Sequence, residues 1–447
     1  MAMLRPAEEM KDSGIEWVGS VPQDWNVVPI GSCFDEVVKK NKEGLVKNAL
    51  KFTYGQIVPK TNFDADEDDY VADTILNYYI VDPGTIMING LNLNFDLISQ
   101  RTGLVKERGI ITSAYVGIIP KDYSVTLPDF MNYLFKAYDY RMAFHNMGGG
   151  VRKILNFTRL KSQKVCFPTI TEQQAIASYL DDRCCKLDEI ITEAEKSIEE
   201  YKELKQAVIF EAVTKGLDKN VPMKNSGVDW IGELPSSWSL VRIPRILDYR
   251  DSYPLGDGDH GMIKTEDYQN DGIPYIRVQN LGWGTDLLLD NVVYISEEDN
   301  EKIKSSQLKP NDVLFCKTGG TIGKTGMVPV SLPVSNTTSH VGKITVNPDY
   351  NARYVFYVLS SYVGYRQFWE IACQKTTRPE LSIAETRQIR LTWPSSRQEQ
   401  DDIVQYLDNI IPEYDTLIAE KQALIEDLKA YKKSLIYEVV TGKRRIS

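Results

Sequence analysis

Residues 10–30 read MKDSGIEWVGSVPQDWNVVPI, and residues 223–243 read MKNSGVDWIGELPSSWSLVRI. The offset is constant and 10 of the 21 positions are identical, so the pattern Trp-x-Gly-x-x-Pro-x-x-Trp stands twice in one chain. A long internal period decides architecture before local propensity does. Two further pairs follow in the same order. EQQAIASYLDD from Glu172 matches EQDDIVQYLDN from Glu399, and AVIFEAVTKG from Ala207 matches SLIYEVVTGK from Ser434. The 447 residues are therefore two tandem halves, each an entry segment, a globular region and a long helix.

The helices carry the clearest signal. In the first, Leu180, Leu187, Ala194, Tyr201 and Val208 recur every seven residues, with Cys184, Ile191, Ile198 and Lys205 four places on. The second repeats this with Leu407, Tyr414, Lys421, Leu428 and Leu435, accompanied by Ile411, Ile418, Ile425 and Lys432. Apolar positions at this period form the a/d seam of a helix pair. An ordinary core helix is the plainer reading, and the same charge-ringed seam in both copies argues against it. Because a globular region lies between them in sequence, the two helices are expected to pair antiparallel. A seam of about 35 residues makes a rod of roughly 50 Å, with one globular region at each end. Pro412, inside the second seam, predicts a kink or a late helix start.

The globular regions are mixed. TIMING (85–90) and SAYVGIIP (113–120) in the first, and IPYIRVQNL (273–281), NVVYIS (291–296), DVLFCK (312–317) and GKITVNP (342–348) in the second, are β-rich runs between turn residues. Each region closes on an aromatic helical stretch, MNYLFKAYDYRMAFHN from Met131 and YVFYVLSSYVGYRQFWEIA from Tyr354. The fold class is α+β: two globular domains separated by an antiparallel two-helix coiled coil, with an internal pseudo-twofold repeat. The expected boundaries are an N-terminal segment at 1–30, a first globular domain at 31–166, a central long helix at 167–216, the repeated entry at 217–243, a second globular domain at 244–392, and a distal long helix with basic tail at 393–447.

An apolar content of 42% with 25 Tyr, 13 Phe and 7 Trp excludes a disordered chain. No run approaches the roughly 20 apolar residues of a membrane helix, and MAMLRPAEEMKDSG has no secretory core; a cytoplasmic protein is expected. Six cysteines without a CxxC pair and three isolated histidines, His145, His260 and His340, offer neither a disulfide framework nor zinc spacing.

The net charge of −10 argues at first against nucleic acid. It is segregated, however. Residues 171–216 hold 11 acidic and 6 basic side chains, whereas residues 140–168 hold no acid at all. Catalytic signatures are missing: there is no amino-methyltransferase NPPY-type motif, no FxGxG loop, no GxSxG and no HExxH. GGTIGKT (319–325) leaves three residues where a P-loop needs four, and reads as a tight turn presenting Lys317 and Lys324. DADEDD (64–69) imitates a calcium loop, but Asp69 stands where Gly is required and Ile75 where the bidentate Glu belongs. A binding scaffold leads.

Its candidate DNA contacts are basic and amide side chains. Arg152 and Lys153, after GGG, lie opposite Arg378 and Lys375, and guanidinium forks suit phosphates and guanine edges. Arg141 corresponds to Arg366; both either contact DNA or stack within their own helix's aromatic face. Asn92, Asn94, Gln100 and Arg101, and in the other half Arg277, Gln279 and Asn280, cluster near strand ends with the chemistry that reads adenine and guanine.

The paired WVGSVPQDW and WIGELPSSW, the paired EQQAIASYLD and EQDDIVQYLD, and NDVLFCKTGGTIGKTGMV from Asn311 together resemble the specificity subunit of type I restriction-modification systems. The resemblance covers nearly the whole chain. It departs in the first globular region, where NGLNLNFDLISQRTGLVKERG from Asn89 replaces the GTIGKTG-type turn. The resemblance implies two target-recognition domains, each reading one half of a bipartite site in double-stranded DNA, and helices that dock two copies of the modification methyltransferase subunit, with restriction subunits as further partners. A 50 Å rod exceeds one DNA turn of about 34–36 Å, so successive major grooves are within reach. The resemblance also implies no catalytic residue and no cofactor in this chain, S-adenosylmethionine and ATP belonging to partner subunits. Two other classes stay open: a fused nuclease or methyltransferase with disguised motifs, and a DNA-independent scaffold of another defence assembly.

Overall fold

Ile170–Lys215 and Arg397–Val440 are unbroken helices of 46 and 44 residues. At 1.5 Å per residue they measure about 69 and 66 Å, longer than the seam alone suggested because each helix runs on past it. The late start at Pro412 is excluded: the second helix begins 15 residues earlier. Proline has no N–H to give its preceding turn, and this one stands on the exposed face, its carbonyl accepting from Thr416 Oγ1 at 2.8 Å. These elements come from a computed structural model that describes residues 3–60, 75–97, 100–373 and 379–446. The acidic run at 64–69 lies outside the described residues. Among the described residues no helix is long and apolar enough to cross a membrane.

The chain divides into two units, Met1–Glu195 with Gln422–Ser447, and Lys196–Lys421. In the first, an antiparallel sheet runs in the order Thr102–Leu104, Ile86–Ile88, Val116–Pro120, Phe34–Glu36. Helix Pro128–Tyr140 covers it with Phe130, Met131, Leu134, Phe135 and Tyr138, the i, i+4 spacing that puts apolar side chains on one face. The aromatic stretch does not continue as one helix: Met142 takes a left-handed φ of 58° and a second helix, Ala143–Met147, starts after it. Strands Asn26–Pro29 and Lys164–Phe167 pair antiparallel and close the head just before the long helix.

The second unit repeats this plan with other strands. Its sheet runs Leu255–Asp257, Val341–Ile344, Val313–Cys316, Thr325–Met327, and a three-stranded sheet places Ile273–Ile276 between Val293–Ile295 and a parallel Asn336–Thr337. The aromatic stretch forms Ala352–Ser360 and Tyr362–Ala372, divided at Ser361, whose Oγ caps the second helix by accepting from Val363 N. Ser239–Arg242 pairs with Arg390–Trp393 to close this head.

Each head is fixed to a long helix by the same polar joint. In the first unit Tyr133 donates to Asp181 at 2.7 Å, and buried Gln173 accepts from Leu127 N at 2.8 Å. In the second, Tyr357 donates to Asp408 and buried Gln400 accepts from Asn351 N at 3.0 Å. The entry tryptophans cover the places where helices begin and end. Trp25 is buried against Gly442, and Trp238 is buried beside Gly216 and donates to Glu399 at 2.8 Å.

Within each unit the two long helices pair antiparallel through the expected seam. In the first, Leu180, Cys184, Leu187, Ile191 and Ala194 are buried along with Ile425 and Leu435. Lys432 meets Asp188 at 2.6 Å while the earlier Lys429 meets the later Glu195 at 3.8 Å, which fixes the direction. In the second unit Ile198 is buried, Ile209, Ala212 and Val213 share a core with Ile403, Leu407 and Ile411, and Lys205 meets Asp415 at 2.6 Å.

Candidate nucleic-acid interface

In the first head the candidate surface is built outward from an arginine. Arg101 is 0% exposed, and its guanidinium donates to the carbonyls of Asn89 at 3.1 Å, Leu91 at 2.8 Å and Asp96 at 2.5 Å. Its backbone N–H donates to Asp139 at 2.7 Å, and the ring of His145 meets the Asp96 carbonyl at 3.0 Å. Burial pushes the Asp139 carboxyl up to about 6 against the pull of Arg101 and His145. Arg101 is thus an internal clamp on residues 89–96, and the expectation of a DNA contact is corrected: the carbonyls it donates to lie inside.

The clamped loop turns other side chains outward. Asn92, at φ 50°, Asn94 and Leu97 are exposed, and Phe95 is 80% exposed. A second loop is hydrogen-bonded alongside. Asn94 Nδ2 donates to Val151 O at 3.0 Å, Leu93 N to Lys153 O at 3.3 Å and Leu155 N to Gly90 O at 2.9 Å. Val151 is 97% exposed, and Arg152 and Lys153 stand exposed beside it. The guanidinium of Arg159 lies over Gly149, where a Cβ would come within 2.3 Å of its Cζ, so glycine is what lets cation and backbone approach. Four of the expected contacts, Asn92, Asn94, Arg152 and Lys153, therefore share one surface. The acid nearest them in sequence, Asp96, is held by Arg101 at 3.7 Å.

Gln100 and Arg141 go elsewhere. Gln100 packs on Gly55 and lines a cleft of about 1230 Å³ with Lys106, Lys136 and the long helices of that unit. Arg141 stacks on an aromatic ring, 4.3 Å from the centroid of Tyr437, which belongs to the second long helix and not to its own helix's face.

The second head corrects more of the expectation. Lys317 is buried, with Nζ at 2.6 Å from Asp257 and 3.5 Å from Glu380, and the turn does not present it. Asn280 is buried too, accepting from Arg277 N at 2.9 Å and donating to Leu288 O at 2.8 Å. Both are interior ties, because a buried donor or acceptor without a partner costs more than its hydrogen bond returns. Arg277 is half-buried, its guanidinium on Asn291 O at 3.1 Å and 5.5 Å from the Tyr268 ring centroid. Gln279 is exposed, Lys324 half-buried, and Arg366 exposed in an ion pair with Glu370 at 2.9 Å. Lys375 and Arg378 lie outside the described residues.

The long helices expose a second apolar stripe, away from the seam. Ile190 and Leu204 on the first, and Leu417, Leu424 and Tyr431 on the second, are exposed at intervals of seven residues or twice seven. Ile190 corresponds to Leu417 and Leu204 to Tyr431 in the duplication.

A duplicated helical frame carrying two heads that share one four-stranded sheet order but little sequence is the decisive pattern, and a family model described as "Type I restriction modification DNA specificity domain" matches residues 22–200 and again 258–427. The chain belongs to this DNA specificity family. It is 21% identical to the type I restriction enzyme MjaVIII specificity subunit of Methanocaldococcus jannaschii, over 95% of this chain and 94% of that one. To the EcoBI specificity subunit of Escherichia coli it is 28% identical, over 58% of this chain and 53% of the other. A chain from a solved structure on complex assembly and conformational transition of the type I R-M system superposes with a TM-score of 0.69 at 14% identity, covering 95% of this chain and 99% of that one; the likeness is one of fold.

Also exposed on the candidate surface of the first head, and not singled out from the sequence, are Phe95, Val151 and Arg159. Arg159 had a signal, since it falls in the acid-free stretch 140–168. Phe95 had none, because an aromatic residue in a sequence is by default a core residue.

Proposed function

We propose that this chain is the DNA-recognition subunit of a type I restriction-modification complex. Each head reads one half of a bipartite site in double-stranded DNA, and the chain itself carries out no catalysis. The observation that supports this most is the duplication: helices, seam, joints and the central sheet order are repeated while the sequences of the heads are not, as expected when two readers of different sequence share one frame. Phosphate contacts from Arg152, Lys153 and Arg159 would hold the first head in register while side chains between them meet base edges.

The exposed stripes of the long helices, Ile190 with Leu204 and Leu417 with Leu424 and Tyr431, are the surface offered to helices of two methyltransferase subunits, one for each half of the duplication. S-adenosylmethionine and ATP belong to the partner subunits, and the complex works in the cytoplasm on resident DNA. Co-expression with a type I methyltransferase subunit, followed by single-molecule methylation mapping, tests this. A two-part methylated motif should appear only when this chain is present; modification that is the same without it would refute the assignment.

A further inference from the structure

We propose that Phe95, with Val151 beside it, is an apolar base contact of the first head, entering a groove of the half-site while the neighbouring cations hold phosphates. This rests on the reading of the chain as a DNA-recognition subunit. Single exposed apolar residues are ordinary; here the surroundings are not. Two of the most exposed large apolar side chains of the unit, at 80% and 97%, stand on loops tied together by the Asn94–Val151 hydrogen bond. Arg152, Lys153 and Arg159 lie on the second loop or just after it, and Asn92 and Asn94 on the first. The loop bearing Phe95 is held from within by three carbonyl bonds to Arg101, so the ring is presented on a fixed support. A phenyl ring gains nothing from phosphate. The apolar surface DNA offers is the thymine methyl and the faces of the bases, and both are read by contacts of this kind.

The test uses the complex with its methyltransferase subunit and two duplexes of equal length, one carrying the site that the wild-type complex methylates and one scrambled. Phe95→Ala should weaken binding to the cognate duplex about tenfold, leave the scrambled duplex unaffected, and keep the slope of log affinity against log salt. Phe95→Leu should retain part of the preference. Arg152→Ala, in contrast, should weaken both duplexes and lower the salt slope by about one. The proposal is overturned if Phe95→Ala binds the cognate duplex as the wild type does, if it loses both duplexes equally, or if the methyltransferase subunit dissociates, which would make this a protein-docking surface. If the wild-type complex does not distinguish the two duplexes, the recognition function itself fails, and this inference with it.

Discussion

Arg101 and Arg152 belong to the same head and differ only in what surrounds them. Arg101 supplies donors to three carbonyls in a space that water does not reach, so Arg101→Ala should lower the stability of the protein by about 2–3 kcal/mol, seen as a lower Tm. Arg152→Ala should leave Tm unchanged, since its side chain is exposed. Asp139 makes a pH-dependent case. Its folded carboxyl takes up a proton near 6 and its ordinary value is 3.8, because burial disfavours the charge. Between those values the folded state binds more protons than the unfolded one, so the penalty is absent below about pH 4 and fully present above about pH 6. Asp139→Asn keeps an acceptor for Arg101 N and removes the charge. It should stabilise the protein on the order of 2 kcal/mol at pH 8 and not at all at pH 4, as measured by denaturant unfolding at both values; an equal effect at the two values would contradict this account.

At the scale of elements, the long helices hold a lysine where their seam calls for an apolar residue. Lys205 pairs with Asp415 and Lys432 with Asp188, and the duplication carries one pair onto the other. Lys205 is buried, so sliding the helices would leave its charge without a partner in the seam, the situation in which a polar a/d residue fixes register. Lys205→Asp alone should lower Tm. Combining it with Asp415→Lys should restore most of the loss, with a coupling of about 1 kcal/mol or more; strictly additive effects would show that the pair does not set register. On the outer face, Leu417→Ser with Leu424→Ser should release the methyltransferase subunit in size-exclusion chromatography while leaving helix content unchanged, because neither side chain is part of the seam.

For the whole molecule, the joints decide what can be exchanged. Tyr133–Asp181 and Gln173 attach the first head, and the strand pair Asn26–Pro29 with Lys164–Phe167 closes it. Replacing residues 31–163 by the head of another family member leaves that strand pair in place, but the incoming head has to retain the Tyr133 equivalent. Methylation mapping should then show one half of the recognised motif changed and the other intact; a change in both halves would refute the independence of the heads.

Much of this architecture was legible because it is periodic. The WxGxxPxxW repeat, the seven-residue seams and the closing aromatic helices all write a local geometry into spacing, and a helix obeys spacing wherever it lies. The directions of Arg101, Asn280 and Lys317 were not legible. Each is a polar residue near a strand end, and whether such a side chain points at solvent or ties the interior together depends on carbonyls and carboxylates distant in sequence, as with Asp257 and Lys317. Phe95 failed the opposite way, an apolar residue that the clamp of Arg101 turns outward. The duplication, the paired helices and the acid-free stretch follow from composition and period along the chain, and can be read without coordinates. Which polar groups are spent inside the fold and which remain for a ligand emerges from long-range packing alone, because burial is set by what the rest of the chain brings alongside.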